Sequence, residues 1–351
     1  MPSSDVRDET GRLVRHHLDR AGVDGEVTDA RAMSHNGYND LYRVTFTARP
    51  PLMLKVAPPA DLPCLRYETD LLRGEAVYYR AVGPSGAGPV PTVLHQGDAG
   101  AAPGAQGGTP PGAQGRAFLL MSVLPGESWA SLADEVEERE RRALRSQLGG
   151  IVARAHTVTG PAFGYPAESV APLDASWRQA FTAMTRALVA DAQRFGPRLP
   201  RPLPDIEALM AAGSWALEEV TVPVAVHFDL WEGNVLLQGA PGARRVSGIV
   251  DGERMFWGDP LADLPSLRLF DRAEHDPHFT AGYRAAGGTI PDDEAARTRL
   301  ALYRCYLYLI MLTETVPRRF TPLEAARTRT LVYPALEAAL NVLATRSGGG
   351  A

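Results

Sequence analysis

Three side chains, Asp229, Asn234 and Asp251, have the types and spacing that chemistry on a phosphate group requires. Asn234 follows Asp229 along one short segment, and Asp251 ends the next apolar stretch of the chain. Phosphoryl transfer from a nucleotide needs a carboxylate beside the attacking hydroxyl and oxygen ligands for Mg²⁺. Asp229 is therefore the candidate catalytic residue, and Asn234 and Asp251 are the candidate Mg²⁺ ligands. Each could alone be a turn or cap residue, but their joint spacing favours a site.

A histidine just before the candidate catalytic residue completes a longer pattern. With His227 included, residues 227–234 have the form H-x-D-x-x-x-x-N, which protein kinases use as a catalytic loop. We expect His227 to fix this loop through a hydrogen bond to backbone near Asp251; a proton-transfer role is the less favoured alternative.

The chain contains a single lysine, Lys55, although it has 36 basic residues; all the others are arginines. Lys55 lies in the apolar segment 52–57, where a surface charge on an edge strand is the ordinary alternative. A compact ammonium kept where the chain otherwise uses arginine indicates a site that a planar guanidinium does not suit. We expect Lys55 to contact nucleotide phosphates and to pair with a glutamate of the following helix. Glu75 is the first candidate for this partner and Glu68 the second.

Two other segments are candidates for nucleotide contacts. A tight turn with Ser34, Asn36 and Gly37 precedes the Lys55 strand, and its backbone amides and the Ser34 hydroxyl could reach phosphate oxygens. Met121 and Val123 come just before a Pro-Gly break and would present backbone groups to a purine. The phosphate donor is expected to be ATP or GTP, and these residues do not distinguish between the two.

The composition excludes several classes of protein. The 351 residues are 45% hydrophobic and 22% charged, which is typical of globular chains. A net charge of -5 provides no basic surface for nucleic acid. Cys64 and Cys305 are too few for a disulfide framework or a zinc site. Because neither a signal peptide nor a membrane-spanning run is visible, we expect a cytoplasmic protein without a membrane partner; the oligomeric state stays open.

The periodicity of apolar residues predicts an α+β fold in which strands come first and helices follow. Strands are predicted at 42–46, 52–56, 89–94 and 117–124. Helices are predicted at 5–21, 65–82, 135–156, 175–195 and 205–220, with two or three more within 292–346. Residues 96–115 are rich in Gly, Ala, Pro and Gln and are expected to form a flexible insertion. The Pro125-Gly126 break indicates a hinge between a small β-rich lobe, 1–124, and a larger helical lobe, 125–351.

These segments together resemble the aminoglycoside phosphotransferase family, whose members have a bilobal protein-kinase-like fold. The resemblance rests on residues 227–234, 249–253 and 258–264, and on 54–56, 75–76 and 89–91 in the small lobe; it spans about residues 30–320. It implies a Mg²⁺-dependent O-phosphotransferase, in which Asp263 supports the catalytic loop. Family members commonly have Gly where Phe228 stands and an aromatic residue where Gly252 stands, and both differences flank the acceptor side.

The acceptor is expected to be a small molecule. A protein kinase needs a long segment after its metal-binding aspartate to hold a peptide, and only seven residues separate Asp251 from Asp259. Between Asp251 and Glu294 there are ten acidic residues and four arginines, which would suit a cationic acceptor but equally a solvated acidic surface. The candidate acceptor-binding residues are Trp231, Glu232, Trp257, Asp271, Tyr303 and Glu314.

The sequence therefore predicts a phosphotransferase that modifies a hydroxyl of an antibiotic, either an aminoglycoside or another natural product, and so confers resistance. A housekeeping kinase for a sugar, fructosamine or amino alcohol is the alternative within the same chemistry. A nucleotide-binding pseudokinase is the alternative outside it, and it is disfavoured because each polar residue that the chemistry needs is present.

Overall fold

A computed structural model describes residues 4–33, 38–98, 116–267, 269–270 and 276–347. The predicted α+β class is confirmed, since an antiparallel sheet forms the N-terminal part and helices dominate the remainder. The five strands of this sheet are β1 Val27–Ala32, β2 Asp40–Phe46, β3 Leu52–Val56, β4 Val93–Gly97 and β5 Phe118–Ser122. Their order is β1-β2-β3-β5-β4, so β3 is the central strand.

The alternation of side chains along β3 assigns its two faces to two different helices. Helix α1, Ser4–Arg20, covers one face, where its apolar residues pack against Leu54 and Val56. Helix α2, Leu71–Val82, lies on the other face, to which Lys55 belongs. A lysine on a buried face needs a charge partner, and α2 provides it.

Two predicted elements are shorter in the structure than in the sequence pattern. The predicted helix at 65–82 is interrupted, because Asp70 adopts a left-handed backbone conformation with φ of 64°. A 3-10 turn, Arg66–Glu68, precedes this break, and α2 follows it. The predicted strand at 89–94 begins only at Val93, because Pro89 and Pro91 have no amide hydrogen for a sheet.

The remaining helices pack around a second, larger core. They are α3 Glu138–Ala155, α4 Trp177–Phe195, α5 Leu203–Gly213, α6 Leu264–Leu267, α7 Pro277–Ala285, α8 Glu294–Thr313 and α9 Pro322–Ser347. Helix α8 is buried along most of its length. Helices α3 and α7 approach closely at Gly149, where an added Cβ would lie 2.1 Å from the Phe279 carbonyl oxygen.

Five short strands position the candidate catalytic segments. They are β6 Glu127–Ser128, β7 Val224–Val226, β8 Val235–Gln238, β9 Arg245–Ile249 and β10 Phe256–Gly258. Strands β8 and β9 form an antiparallel hairpin in which Val235 is opposite Ile249. This pairing brings the residue before β8, Asn234, close to the end of β9, and Val250 N donates to Asn234 O at 3.0 Å.

The predictions on the later helices, the insertion and the division into lobes do not all have the same outcome. The predicted helix at 205–220 divides into α5 and a 3-10 turn, Ser214–Glu219. Two helices, α8 and α9, occupy the described part of 292–346. Residues 99–115 of the predicted insertion lie outside the described residues, and the division into lobes after residue 124 stays a prediction. In the described ranges, no helix is both long and apolar enough to span a membrane.

Candidate active site

Lys55 lies at the centre of a cluster of carboxylates. Its Nζ donates to Glu75 Oε2 at 2.8 Å, to Glu253 Oε2 at 2.6 Å and to Asp251 Oδ1. Of the two candidate partners on the following helical segment, it is thus Glu75 that pairs with Lys55. Glu68 instead accepts from the Arg318 guanidinium at 2.5 Å. Asp70, the left-handed residue between the two glutamates, interrupts the helix, so the Glu68 and Glu75 side chains point to different partners.

Tyr79 connects the two ends of this cluster. Its hydroxyl donates to Glu75 Oε1 at 2.7 Å and accepts from the Asp251 amide at 2.8 Å. This role was not predicted from the sequence, because Tyr79 belongs to the apolar stripe of α2. Glu253 was also missed; it contacts Lys55 and accepts from Asn39 Nδ2 at 2.6 Å. Its position two residues after Asp251, in a segment with no strand or helix pattern, was the available signal.

The charges of the cluster are strongly coupled. Burial by itself would lower the pKa of Lys55, but the three carboxylates outweigh it and raise that pKa well above its usual value. Burial would raise the pKa of Asp251, but the Lys55 ammonium prevails and lowers it. Burial and the nearby Asp251 charge raise the pKa of Glu253 to about 8. The lysine therefore stays protonated and holds Asp251 as a carboxylate.

The loop with Asp229 is fixed by a buried carboxylate. Asp263 Oδ1 accepts from the Phe228 amide at 2.6 Å, and Asp263 Oδ2 accepts from the His227 amide at 3.3 Å. His227 Nδ1 accepts from the Asp229 amide at 3.2 Å, so its Nε2 donates to the Val250 carbonyl at 3.0 Å. This is the backbone-fixing arrangement expected of His227, and it links the catalytic loop to the residue before Asp251.

Two sequence differences from the family pattern have visible structural consequences. Phe228 has a φ of 63°, a conformation in which glycine is favoured, and it is held there by the bond to Asp263 and by aromatic packing against Phe256. Gly252 is closely covered, since an added Cβ would lie 3.0 Å from the Tyr78 ring. A larger residue at 252 would require the Tyr78 ring to move.

Asp229 itself faces Arg254, an arginine that was not predicted to belong to the site. Arg254 Nε lies 3.8 Å from Asp229 Oδ2, and Arg254 Nη2 lies 3.2 Å from Glu314 Oε2. Burial raises the pKa of Asp229 and the Asp251 charge raises it further, whereas Arg254 acts in the opposite direction. Glu314, expected as an acceptor contact, is instead bound by Arg254 and by Arg318 at 3.2 Å.

The candidate metal ligands are suited to a hard cation. Asn234 donates from its Nδ2 to the Asp229 carbonyl at 2.9 Å. This bond does not use the side-chain oxygen of Asn234, which is the atom that would bind a cation. The Asp251 side chain is 39% exposed and faces the same cavity. Amide and carboxylate oxygens are the donors that Mg²⁺ prefers, and such sites complete their coordination with waters and phosphates. Asn234 and Asp251 would therefore hold Mg²⁺, which neutralises charge on phosphate oxygens when bound.

One cavity brings together five of the predicted site residues, namely Asp229, Trp231, Glu232, Asn234 and Asp251. It has a volume of about 730 Å³. Its lining consists of Tyr38, Arg145, Asp229, Trp231, Glu232, Asn234, Asp251, Glu253, Arg254, Leu267, Leu269, Phe270, Leu307, Met311 and Arg318. Trp231 and Glu232 thus lie in the cavity wall, next to the candidate catalytic and metal-binding groups.

Two predicted acceptor residues belong to the core instead. Trp257 is 5% exposed within β10 and packs over Gly160, where an added Cβ would lie 2.2 Å from its ring. Tyr303 is fully buried; its hydroxyl accepts from Trp177 Nε1 at 2.7 Å and donates to Asp259 Oδ2 at 2.8 Å. Both predictions were wrong, because an aromatic residue on a central element packs in the interior when its polar atom has an internal partner.

The predicted roles of the remaining site residues are not tested by their positions in the structure. Met121 lies within β5, between Met53 of β3 and Val93 of β4, and Val123 follows the end of that strand. Their purine contacts stay predictions. The predicted phosphate-covering residues Ser34, Asn36 and Gly37 lie outside the described residues. The candidate acceptor residue Asp271 does so as well.

The chain belongs to the phosphotransferase enzyme family, whose family model matches residues 29–303. The resemblance to aminoglycoside phosphotransferases is thereby confirmed, and the protein is a phosphotransferase that acts on a hydroxyl group. No curated protein sequence matches the chain.

Solved structures share the fold at low sequence identity. A candidate fructosamine-3-kinase from Thermobifida fusca is 22% identical, with a TM-score of 0.60 over 95% of this chain and 98% of that one. A thermostable mutant of aminoglycoside phosphotransferase APH(4)-Ia, in complex with ADP and hygromycin B, is 17% identical, with a TM-score of 0.60 over 96% and 99% of the two chains. A microcompartment-associated aminopropanol kinase is 16% identical, with a TM-score of 0.56 over 95% and 98%. The expected protein-kinase-like fold is confirmed.

Proposed function

We propose that the protein transfers the terminal phosphoryl group of ATP or GTP, with Mg²⁺, to a hydroxyl of an antibiotic or a related hydroxylated natural product. One observation carries this proposal. Lys55 contacts both Glu75 and Asp251, and Asp251 lines the same cavity as Asp229 and Asn234. The metal-binding side chains and the catalytic carboxylate thus line one space in which a nucleotide and an acceptor can meet, and the lysine contacts a carboxylate of its wall.

Each residue has a role that its surroundings support. Asp229 orients the attacking hydroxyl and receives its proton late, because the transition state is loose and needs little early base catalysis. Lys55 is held protonated by its carboxylate partners, so it offers a permanent positive charge to the phosphates. Asn234 and Asp251 hold the metal ion, and Glu75 and Tyr79 keep Lys55 and the Asp251 backbone in place.

A small acceptor fits the chain segment that follows the metal-binding aspartate. Asp251 leads directly into a 3-10 turn, Gly252–Arg254, and then into β10 and the 3-10 turn Pro260–Asp263. This stretch is buried in the large core and forms no extended platform for a peptide. The cavity is instead closed on the acceptor side by residues of α8 and by Leu267, Leu269 and Phe270.

Two acceptor classes follow from the similar structures. The complex of one similar structure with hygromycin B favours an antibiotic acceptor. The candidate fructosamine-3-kinase and the aminopropanol kinase favour a metabolite kinase as the second candidate. For either class we propose a cytoplasmic location, where nucleotide donors are abundant and where Cys64 and Cys305 stay reduced.

The decisive experiment is a panel of antibiotics, sugars and amino alcohols incubated with ATP and with GTP, read by a mass gain of one phosphate. With any acceptor that is modified, Asp229→Asn should lower turnover by a factor on the order of 10³ and leave nucleotide binding nearly intact. Asp292→Asn is the matched control, because Asp292 is an exposed residue that pairs with Arg297 beside α8. Normal turnover in Asp229→Asn would contradict the catalytic assignment, and nucleotide binding without transfer to any acceptor would favour a pseudokinase.

A further inference from the structure

We infer that the acceptor is a neutral hydroxylated molecule with an apolar face, and not a polycation. This inference rests on the proposed function and narrows its acceptor class. It follows from two properties of the cavity: the carboxylates in its described wall already have basic partners, and the wall beyond Asp229 is apolar.

The first property concerns Glu232, a cavity carboxylate that lies between Asp229 and Asn234 on the same loop. Its Oε1 accepts from Arg141 Nη1 at 3.1 Å and from Arg145 Nη2 at 2.6 Å. The Arg145 guanidinium also lies over the Trp129 ring, 4.8 Å from its centroid, so it is fixed from two sides. An ammonium group of an acceptor would have to compete with two arginines for this carboxylate.

The same holds for the other carboxylates in the described wall of the cavity. Asp229 lies 3.8 Å from Arg254, and Asp251 and Glu253 both contact Lys55. A polycationic acceptor would thus bring its ammonium groups into a space in which each described carboxylate already has a basic partner. An ammonium that loses water without gaining an unpaired carboxylate binds poorly.

Positive charge also faces the cavity directly. Arg145, Arg254 and Arg318 all line it. Arg254 and Arg318 share Glu314, which lies 3.2 Å from each, and Arg318 also binds the buried Glu68 at 2.5 Å. Glu314, Glu68 and Asp229 thus each have one of these two guanidinium groups as a partner, so an incoming ammonium meets no unpaired described carboxylate on this side of the cavity.

The second property is the apolar wall. Leu307 and Met311 are one helical turn apart on α8 and both line the cavity, together with Leu267 and Phe270. The Phe270 ring stacks on Tyr308 of α8, with 6.1 Å between the centroids. These side chains offer no hydrogen bonds, so they suit hydrocarbon and reject a ligand that is polar on all sides.

The apolar wall adjoins the reacting groups. Glu314 follows Met311 by three positions at the end of α8, so both belong to one side of the helix, and the Glu314 partner Arg254 reaches Asp229. An acceptor that places a hydroxyl at Asp229 therefore lays its neighbouring atoms against Met311 and Leu307. The geometry selects molecules in which an apolar face lies next to the reacting hydroxyl.

The test measures binding and transfer separately, on the full-length protein with saturating Mg-ADP or Mg-ATP. The probes share one sugar: methyl β-glucoside is neutral, octyl β-glucoside below its micelle concentration adds an apolar part, and methyl β-glucosaminide adds an ammonium. Erythronolide B and kanamycin form a second pair, one neutral with an apolar face and the other polycationic. We expect octyl glucoside and erythronolide B to bind about tenfold or more tighter than their counterparts, since several buried methylenes contribute.

Two variants test whether Met311 in the cavity wall causes the preference for the apolar probe. Met311→Gln keeps the length of the side chain and should weaken octyl glucoside about tenfold while methyl glucoside changes little. Leu331→Gln is the control, because Leu331 is an exposed apolar residue of α9, 51% accessible, outside the cavity lining. Unchanged Mg-ADP affinity verifies that each variant is folded.

The outcomes separate this inference from the proposed function. Preferential binding of kanamycin or methyl glucosaminide, absence of binding by both apolar probes, or equal effects of the two variants would overturn the inference. Transfer to polycations alone would overturn it and leave the phosphotransferase function intact. Binding of the apolar probes without phosphate transfer to any acceptor would support the inference on the cavity and count against the proposed function.

Discussion

Substitution of Glu75 by glutamine should make the single lysine of this chain more reactive. Lys55 carries the only side-chain amine, so acetylation by a small reagent reports on one site besides the N-terminus. Acetylation requires the neutral amine, and the three carboxylates raise the pKa of Lys55 well above its usual value and suppress that form. Glu75→Gln removes one of the three charges at a contact of 2.8 Å.

The magnitude follows from the contact distance and from what remains. At an effective dielectric constant of about 20, opposite charges 2.8 Å apart attract by about 6 kcal/mol. Most of this is compensated by Asp251 and Glu253, which still contact the ammonium, so about 1.5–3 kcal/mol is a reasonable net loss. Because 1.4 kcal/mol corresponds to a factor of ten, the acetylation rate of Lys55 should rise about tenfold to a hundredfold.

The assay uses the metal-free and nucleotide-free protein, acetic anhydride at fixed pH, and peptide mass spectrometry over time. Glu68→Gln is the matched control, because Glu68 is equally buried but pairs with Arg318 and not with Lys55. Equal acetylation rates in all three proteins, or a rise in the Glu68→Gln variant alone, would refute the reasoning that Glu75 is the charge partner of Lys55. Thermal unfolding of each variant checks that the comparison is made on folded protein.

Three further predictions concern stability and the metal. Burial lowers the pKa of His17 to about 4, below its ordinary 6.5, so the unfolded chain takes up the proton first and stability is lost as pH falls from about 6.5 to 4. His17→Leu should remove up to about 3 kcal/mol of this acid sensitivity in urea titrations at pH 7 and pH 4, and equal pH dependence would contradict it. Gly149→Ala should destabilise the protein by about 1–3 kcal/mol, because the new Cβ meets the Phe279 carbonyl oxygen. Gly11→Ala, in open space on α1, should stabilise the protein by about 0.5–1 kcal/mol. Urea unfolding measures both effects, and a stabilised Gly149→Ala variant would contradict the close approach of α3 and α7. Chelation of Mg²⁺ should weaken ATP binding about tenfold or more in the wild type and far less in Asp251→Asn, as measured by calorimetry, and equal losses would exclude Asp251 as a ligand.

Local patterns predicted the elements that carry long runs of one periodicity. The strands at 42–46 and 52–56 and the helices at 5–21 and 175–195 agree with β2, β3, α1 and α4 within about two residues. Strands of two or three residues, such as β7 and β10, were not found, because so short a run has no measurable period. The break at Asp70 was also missed, since a left-handed residue inside a helical pattern leaves no compositional trace.

The acidic residues after Asp251 show why composition alone does not define the acceptor. Asp259 of that set binds Arg299 at 2.9 Å, Asp263 accepts the backbone of the catalytic loop, and Asp276 lies 3.5 Å from Arg145. These carboxylates serve the fold, so they do not form a free acidic surface. Sequence gives the number of charges, whereas their partners are defined only when the chain is folded.

The sequence by itself determined which groups are the candidates for the chemistry. Lys55, Asp229, Asn234 and Asp251 were identified from residue type, short-range spacing and the rarity of lysine, because these properties are local and survive without a fold. Only the tertiary structure decided which residues they contact. Lys55 and Asp251 are 196 positions apart, and the contact between them, like that of Arg254 with Asp229 and Glu314, depends on how the helices and the sheet pack. Packing also made one set of apolar residues core and left another as the wall of the cavity, and no periodicity distinguishes the two.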